Sequence, residues 1–173
     1  ARPRDGVNRY VRAYFDPLVA LLYPIPKIAL LPLIMFIFGL AEASKYVTVA
    51  IGVFFVMVIN AESGVRQIGR IYLDVARAYR LTPRTFYLRV LLPGALPSIM
   101  AGARVAIGLA VVLAVAAEFV AARSGLGFTI FNSNQLFDVQ TLYVAIVAVS
   151  LLGYALTALA GRLESVLVPW QKR

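Results

Sequence analysis

The feature that most constrains this fold is the alternation of long apolar stretches with short charged segments. Four apolar stretches occupy residues 16–40, 46–60, 96–120 and 141–160. A helix needs about 20 apolar residues to cross a hydrocarbon core of ~30 Å. The period-2 alternation of a membrane β-barrel is absent, and a bilayer leaves helices as the other way to pair every backbone group. The sequence therefore predicts an all-α polytopic transmembrane helical bundle with about four spans.

Composition narrows the possible functions. The chain is 61% hydrophobic and 14% charged, whereas soluble domains carry about 25% charged residues. It has no cysteine and no histidine, which excludes disulfides, thiol nucleophiles and imidazole catalysis. It has no clustered carboxylates of the kind that hold metals, so a membrane-embedded enzyme is disfavoured. We expect a non-catalytic subunit with no cofactor or metal of its own.

The chain begins ARPRDG, without an initiator methionine or a signal-peptide pattern. We expect residues 1–173 to form a single membrane domain that belongs to a longer protein with further N-terminal spans. Within this domain, residues 62–93 are predicted to form a loop outside the membrane.

The positive charges predict the orientation of the spans. Of the 17 lysines and arginines, four lie in residues 1–16, six in residues 62–93 and three at the C-terminal end. Cytoplasmic segments of bacterial inner-membrane proteins carry such an excess. The loop and both ends of the chain are therefore predicted to be cytoplasmic. Because orientation accounts for the net charge of +9, a nucleic-acid partner is not expected.

The loop has the pattern of two short helices joined by a sharp turn at residues 80–81. Its apolar residues repeat at helical spacing, and Asp74 lies within reach of Arg70 and Arg77. Thr82 and Pro83 suit the N-cap and first residue of a second helix, which we expect to end near Leu92. The repeating apolar residues are Ile68, Ile71, Val75 and Tyr79. By spacing alone, the loop is compatible with a basic amphipathic hairpin that lies on anionic lipid.

The residues of the loop resemble the EAA motif of ATP-binding-cassette (ABC) importer permeases. That motif reads E-A-A-x-x-x-G, nine residues, I-x-L-P, and here it begins at Asp74 and ends with Val90, Leu92 and Pro93. Arg80 stands where the family has glycine. The resemblance implies that a coupling helix docks on a separate ATPase subunit, which binds ATP and Mg²⁺. The coupling residues that it implies are Asp74, Val75, Ala76, Arg77, Arg80, Leu92 and Pro93.

The resemblance extends along most of residues 16–163. The segments YPIPKIALLPLIMFIFGLAEASK, LLPGALPSIMAGARVAIG and AAEFVAARSGLGFTI look like the branch that imports nitrate, taurine and alkanesulfonates. It implies a permease in the bacterial inner membrane that pairs with a second permease copy and receives a small anion from a periplasmic or lipid-anchored binding protein. The chain lacks a G-x-x-x-x-G-K-[ST] phosphate-binding loop, so ATP hydrolysis falls to the partner subunit.

Two ionisable residues in the third span are candidates for the substrate pathway. Glu118 near its outer end is a gate candidate, with interfacial solvation or pairing to Arg123 as the alternatives. Arg104 is a candidate anion contact, with snorkelling to the interface as the alternative. The same span carries small residues every four positions, a pattern typical of close helix packing. These are Gly102, Ala106, Ala110 and Ala114.

Two further functions remain compatible with the sequence. An ion-coupled transporter or channel would place paired ionisable groups inside the membrane, and Arg104 and Glu118 are the residues that could serve. A lipid-binding scaffold would use the charge of residues 62–93 irrespective of their order. Lys27 also lies within a predicted span, without an assigned role.

Overall fold

The computed structural model describes residues 17, 19–39, 42–121 and 123–171, and the regular structure of these residues is entirely helical. This confirms the predicted all-α fold. A short 3₁₀ helix, Lys27–Leu30, precedes the first α-helix, and another, Pro169–Gln171, follows the last. The α-helices are α1 (Leu31–Phe38), α2 (Glu42–Arg66), α3 (Arg70–Ala78), α4 (Pro83–Phe86), α5 (Leu92–Ala121), α6 (Leu126–Gln135) and α7 (Val139–Leu167).

Within the residues that the structure describes, three helical segments are long and apolar enough to cross a membrane: Glu42–Arg66, Pro83–Val120 and Val139–Leu167. They contain the predicted spans 46–60, 96–120 and 141–160. Only 6% of the apolar window of α7 is buried within the chain, and its outward side chains include Tyr143, Val147 and Tyr154. Such an apolar surface is suited to lipid or to neighbouring membrane helices.

The first predicted span, residues 16–40, is not one continuous helix. The backbone turns at residues 23–26, and Lys27–Phe38 forms a shorter apolar helix. At a rise of about 1.5 Å per residue this helix reaches about 18 Å, less than the ~30 Å core. Pro24 and Pro26 cause the interruption because proline has no N–H to continue a helix. Three long helices and this shorter one thus lie where about four spans were predicted, and the first of them is interrupted at its prolines.

The loop at residues 62–93 contains the predicted helical hairpin, but its second helix does not end near Leu92. A five-residue π-helical turn, Tyr87–Leu91, joins α4 directly to α5. The N–H of Leu92 donates to the carbonyl of Tyr87, five residues back. A wider turn leaves room for the ring of Pro93, which has no donor of its own. We call α3, α4 and the turn between them the charged hairpin.

The core of the described chain is the antiparallel contact between α2 and α5. Glycines bring the two backbones together at three levels. A Cβ on Gly64 would lie 2.8 Å from the carbonyl oxygen of Ala95. One on Gly102 would lie 2.4 Å from the Cβ of Asn60, and one on Gly52 would lie 2.2 Å from Leu113 Cδ1. Small residues allow such close approach of membrane helices.

Arg80 adopts a left-handed conformation, with φ of 50°, at the position where the family motif has glycine. The N–H of Leu81 donates to the carbonyl of Ala76 at 3.2 Å, and the N–H of Arg80 to that of Arg77 at 3.0 Å. These two bonds are the Schellman pattern that closes a helix C-terminus. Arg80 therefore makes the glycine-type turn at the steric cost of a side chain, about 1–2 kcal/mol.

We predict that Gly102→Ala destabilises the folded chain by about 1–3 kcal/mol, because the added methyl group overpacks the contact with Asn60. Gly108→Ala is the matched control on the same helix, since a Cβ there meets no atom within 4 Å. The control should be neutral or stabilising by up to about 1 kcal/mol. Denaturant unfolding in detergent micelles measures both; equal effects would contradict the proposed register of α2 and α5.

We also predict that Arg80→Gly stabilises the turn by about 1 kcal/mol, because glycine adopts positive φ without a steric penalty. Hydrogen exchange of the Leu81 amide measures the opening of this turn. Arg84→Gly, inside α4, should have the opposite effect of about 1 kcal/mol through lost helix propensity. Faster exchange of the Leu81 amide in Arg80→Gly would contradict this prediction. It would show that the arginine side chain stabilises the turn by more than the strain of its positive φ destabilises it.

Candidate functional site

The charged hairpin forms from local sequence signals. The Thr82 side chain caps α4 by accepting a hydrogen bond from the N–H of Thr85 at 3.4 Å, and Pro83 opens the helix. Arg77 Nη1 donates to Asp74 Oδ1 at 2.9 Å within α3. The predicted cap and the predicted Asp74–Arg77 pair are both confirmed.

The two faces of α3 have different surroundings. Ala76 is only 4% exposed, and its carbonyl closes the turn, so this residue packs inside the hairpin. Ala76 is among the coupling residues that the resemblance implies; its burial leaves little of its side chain open to a partner, and its role in coupling stays a prediction. The apolar residues on the other face are open to solvent: Ile71 is 69%, Val75 50% and Tyr79 78% exposed. We call these three residues the apolar stripe.

The C-terminal half of the motif lies at the junction of hairpin and span. Leu92 begins α5 and is 49% exposed, and Pro93 follows it in the first turn. An open apolar groove of about 320 Å³ runs between the end of α2 and this junction. Leu92 therefore borders a surface that the described chain leaves uncovered. The residues lining the groove are Ala61, Val65, Tyr87, Leu88, Leu91, Leu92, Ala95 and Ile99.

The charge of Arg104 is paired with that of Glu164, a residue that was not predicted from the sequence. Its Nη2 donates to Glu164 Oε2 on α7. Glu164 lies 60 positions away along the chain, so no local pattern could identify it. An acid near the end of an apolar span was the only available signal. The predicted role of Arg104 as an anion contact stays a prediction.

Glu118 connects α5 to the start of α6. Its Oε2 accepts a hydrogen bond from the N–H of Gly127 at 2.7 Å. The carboxylate also fills the space beside Gly125, where a Cβ would lie 2.5 Å from it. Free N–H groups and the dipole at a helix N-terminus favour a carboxylate. The structure gives no ion pair between Glu118 and Arg123, both of which it describes, so that alternative is wrong. The gate role stays a prediction.

The small residues of α5 do not all lie in one contact. Gly102 packs on Asn60, and Ala106 is 2% exposed. Ala110 and Ala114 are half-buried. The close packing predicted for the stripe therefore applies to its N-terminal half.

Lys27 caps the interrupted helix before α1, a role that was not predicted from the sequence. Its ammonium group donates to the carbonyls of Leu22, Tyr23 and Ile25 at 2.9, 2.6 and 2.8 Å. The group also lies 4.8 Å from the ring centre of Phe55, a cation–π distance. The turn at residues 23–26 leaves carbonyls without helical partners, and unpaired carbonyls are costly in a membrane. The prolines just before Lys27 were the signal that could have predicted this cap.

At the other end of the bundle, Asp138 caps α7 by accepting a hydrogen bond from the N–H of Thr141 at 3.1 Å. Hydrogen bonds from the side chain and backbone of Thr141 lower the pKa of Asp138.

Over residues 17, 19–39, 42–121 and 123–171, no group of three or more acidic, histidine or cysteine side chains could hold a metal ion. The charged termini on which the predicted orientation partly depends, residues 1–16 and 172–173, lie outside the described residues.

Three curated relatives are similar over most of this chain. A permease of Escherichia coli named for aliphatic sulfonate transport, SsuC, is 36% identical over 95% of this chain and 62% of its own length. The taurine transport permease TauC of Escherichia coli is 30% identical over 95% of this chain and 60% of its own. The nitrate import permease NrtB of Leptolyngbya laminosa is 32% identical over 97% of this chain and 60% of its own. The chain thus spans about 60% of the length of these relatives.

The helical arrangement has a solved counterpart. An inward-facing structure of the MetNI methionine ABC transporter has a TM-score of 0.76 and 23% identity, covering 93% of this chain and 77% of that chain. This likeness concerns the fold. The family model described as binding-protein-dependent transport system inner membrane component matches residues 6–172. The family predicted from the motif at residues 74–93 is confirmed: the chain belongs to the inner-membrane components of binding-protein-dependent transport systems, the permeases of ABC importers.

Proposed function

We propose that this chain is the membrane-spanning part of an ABC importer that moves a small anion, and that its charged hairpin couples it to a separate ATPase subunit. The observation that carries the proposal is the apolar stripe, which stands exposed on a helix outside the spans. The other partners follow from the family: a second permease copy and a substrate-binding protein on the opposite side of a bacterial inner membrane. ATP and Mg²⁺ bind the ATPase.

The surface of α3 is suited to a protein partner. Val75 and Tyr79 are half or more exposed, while the Asp74–Arg77 pair lies beside them. An apolar patch bordered by charges is typical of a protein interface. Binding to a lipid surface would depend on the total charge of the hairpin but not on the position of each charge. Binding to a protein partner would depend on both, and this difference separates the protein alternative from the lipid alternative.

The connection from hairpin to spans supports coupling. α4, the π-helical turn and α5 form one continuous helix, Pro83–Val120. A displacement of the hairpin is therefore transmitted along a helix rather than absorbed by a loop. Since α5 packs closely on α2 at Gly64, Gly102 and Gly52, the two spans move together. Alternating access by rigid movement of packed helices needs such a connection.

The substrate class comes from the relatives. SsuC, TauC and NrtB are named for aliphatic sulfonates, taurine and nitrate, which share an oxyanion group. We extend this class to the present chain. The distribution of positive charge supports a cytoplasmic position for the hairpin and for both ends of the chain.

We predict that Val75→Asp lowers co-purification of the ATPase subunit by at least about tenfold, because an unpaired carboxylate buried at the interface costs more than ~1.4 kcal/mol. Gln67→Asp is the matched control: it adds the same charge to the same loop at an exposed position outside the stripe. Full-length protein in mild detergent is the material. Equal loss in both variants, or no loss in either, would contradict docking through the stripe.

A second prediction concerns the order of the charges. The double exchange of Asp74→Arg with Arg77→Asp keeps the net charge and the i,i+3 pair, so helix stability should change by less than about 0.5 kcal/mol. If Asp74 contacts a fixed group on the ATPase, ATP-driven uptake into proteoliposomes should nevertheless fall at least about tenfold. Normal uptake with the exchanged pair would favour the lipid-surface alternative, which depends on charge alone.

A further inference from the structure

The Arg104–Glu164 ion pair differs from the other described pairs because it joins two helices. Lys45–Glu42, Arg66–Glu62 and Arg77–Asp74 each lie within one helix. Arg104 extends from α5 to α7 and donates from Nη2 to Glu164 Oε2. The guanidinium group is thus held across the space between two spans.

The pair leaves most of the guanidinium group available. An arginine side chain has five N–H donors, and among the described residues Glu164 is the one acceptor that Arg104 contacts. The Arg104 side chain is 48% exposed, whereas that of Glu164 is 21% exposed. The carboxylate is the more enclosed partner, and the cation has an open edge.

Gly161 shapes the surface on which the guanidinium group lies. A Cβ at Gly161 would be 3.4 Å from Arg104 Nη2 and 3.8 Å from its Cζ. These distances mean that the planar group lies against the backbone of α7, one turn before Glu164. A larger side chain would crowd the group from this side. Arg104 is therefore fixed by Glu164 at its end and by Gly161 beneath it.

The pair lies at the end of the bundle that carries the charged hairpin. Glu164 is in the last turn of α7, which ends at Leu167 and is followed by the exposed Trp170, an aromatic residue of the kind found at membrane interfaces. Arg104 is in the half of α5 that begins at the hairpin. Under the proposed function this is the cytoplasmic end, where the transported anion leaves.

We propose that Arg104 is an oxyanion-binding group at the cytoplasmic end of the spans, and that Glu164 positions it and competes with the anion for it. Guanidinium groups bind sulfonates and carboxylates through the same paired N–H donors. Glu164 acts as an internal carboxylate that retakes the guanidinium group when the anion leaves, so that the anion is held weakly. This inference rests on the proposed function and adds to it a specific site.

The test uses the full-length permease with its ATPase, purified in detergent, and butanesulfonate as the probe. Calorimetric titration measures anion affinity, and thermal unfolding measures the contribution of the pair to stability. Glu164→Gln should tighten butanesulfonate binding about tenfold, because the competitor is removed. Arg104→Gln should weaken binding at least about tenfold. Arg104→Lys, which keeps the charge but loses the paired donors, should weaken it as well.

The exchange of Arg104→Glu with Glu164→Arg separates a binding site from a structural contact. It keeps an ion pair between α5 and α7 but moves the guanidinium group to the other helix. We expect stability close to that of the native chain and butanesulfonate binding reduced at least about tenfold. Native affinity in the exchanged protein, or unchanged affinity in Glu164→Gln and Arg104→Gln, would overturn the inference.

ATP-driven uptake by the native complex is measured in parallel. If uptake is present while the variants bind the probe like the native protein, the inference fails and the proposed function stands. If the native complex shows no ATP-driven uptake and no ATPase co-purifies, the proposed function itself fails.

Discussion

The close contact between α2 and α5 is the constraint on which the rest of the described structure depends. Lipid tails are as apolar as leucine, so membrane helices gain little from burying apolar surface and depend on close packing instead. Gly64, Gly102 and Gly52 supply that closeness at three levels of the antiparallel pair. α7 packs beside α5, and the charged hairpin emerges where α2 ends and α5 begins. The position of every candidate site is thus set relative to this pair.

A second constraint is that backbone groups near a bilayer need partners wherever a helix is interrupted. Side chains supply these partners at two of the interruptions in the described chain. Lys27 donates to three carbonyls at the turn before α1, and Glu118 accepts from the first turn of α6. Near Pro93 a π-helical turn keeps the helix continuous. Lys27 and Glu118, two ionisable groups inside the helical bundle, therefore serve the backbone.

The same pairing bears on function, because Lys27 and Arg104, the two cations within the apolar stretches predicted from the sequence, both have internal partners. Lys27 is saturated by carbonyls, whereas Arg104 gives one donor to Glu164 and keeps an open edge. Of these two cations, Arg104 is the one with donors available for an oxyanion. The hairpin at the same end carries an exposed apolar stripe on α3, and its second helix, α4, is continuous with α5. Coupling and release would then meet at one end of the same helix.

The sequence by itself determined the helical class, the three long spans of the described chain, the Thr82–Pro83 helix start, the Asp74–Arg77 pair and the family motif. These features depend on residues within a turn or two of each other, or on uninterrupted apolar length, and both are visible along the chain. Tertiary structure alone decided that Arg104 meets Glu164, that Ala76 faces inward and that Lys27 caps a broken helix. It also decided that the helix continues through Pro93 and that Arg80 takes a left-handed turn. Such outcomes depend on which distant surfaces pack together and on how much local strain that packing sustains. The spacing of residues along the sequence specifies neither of these.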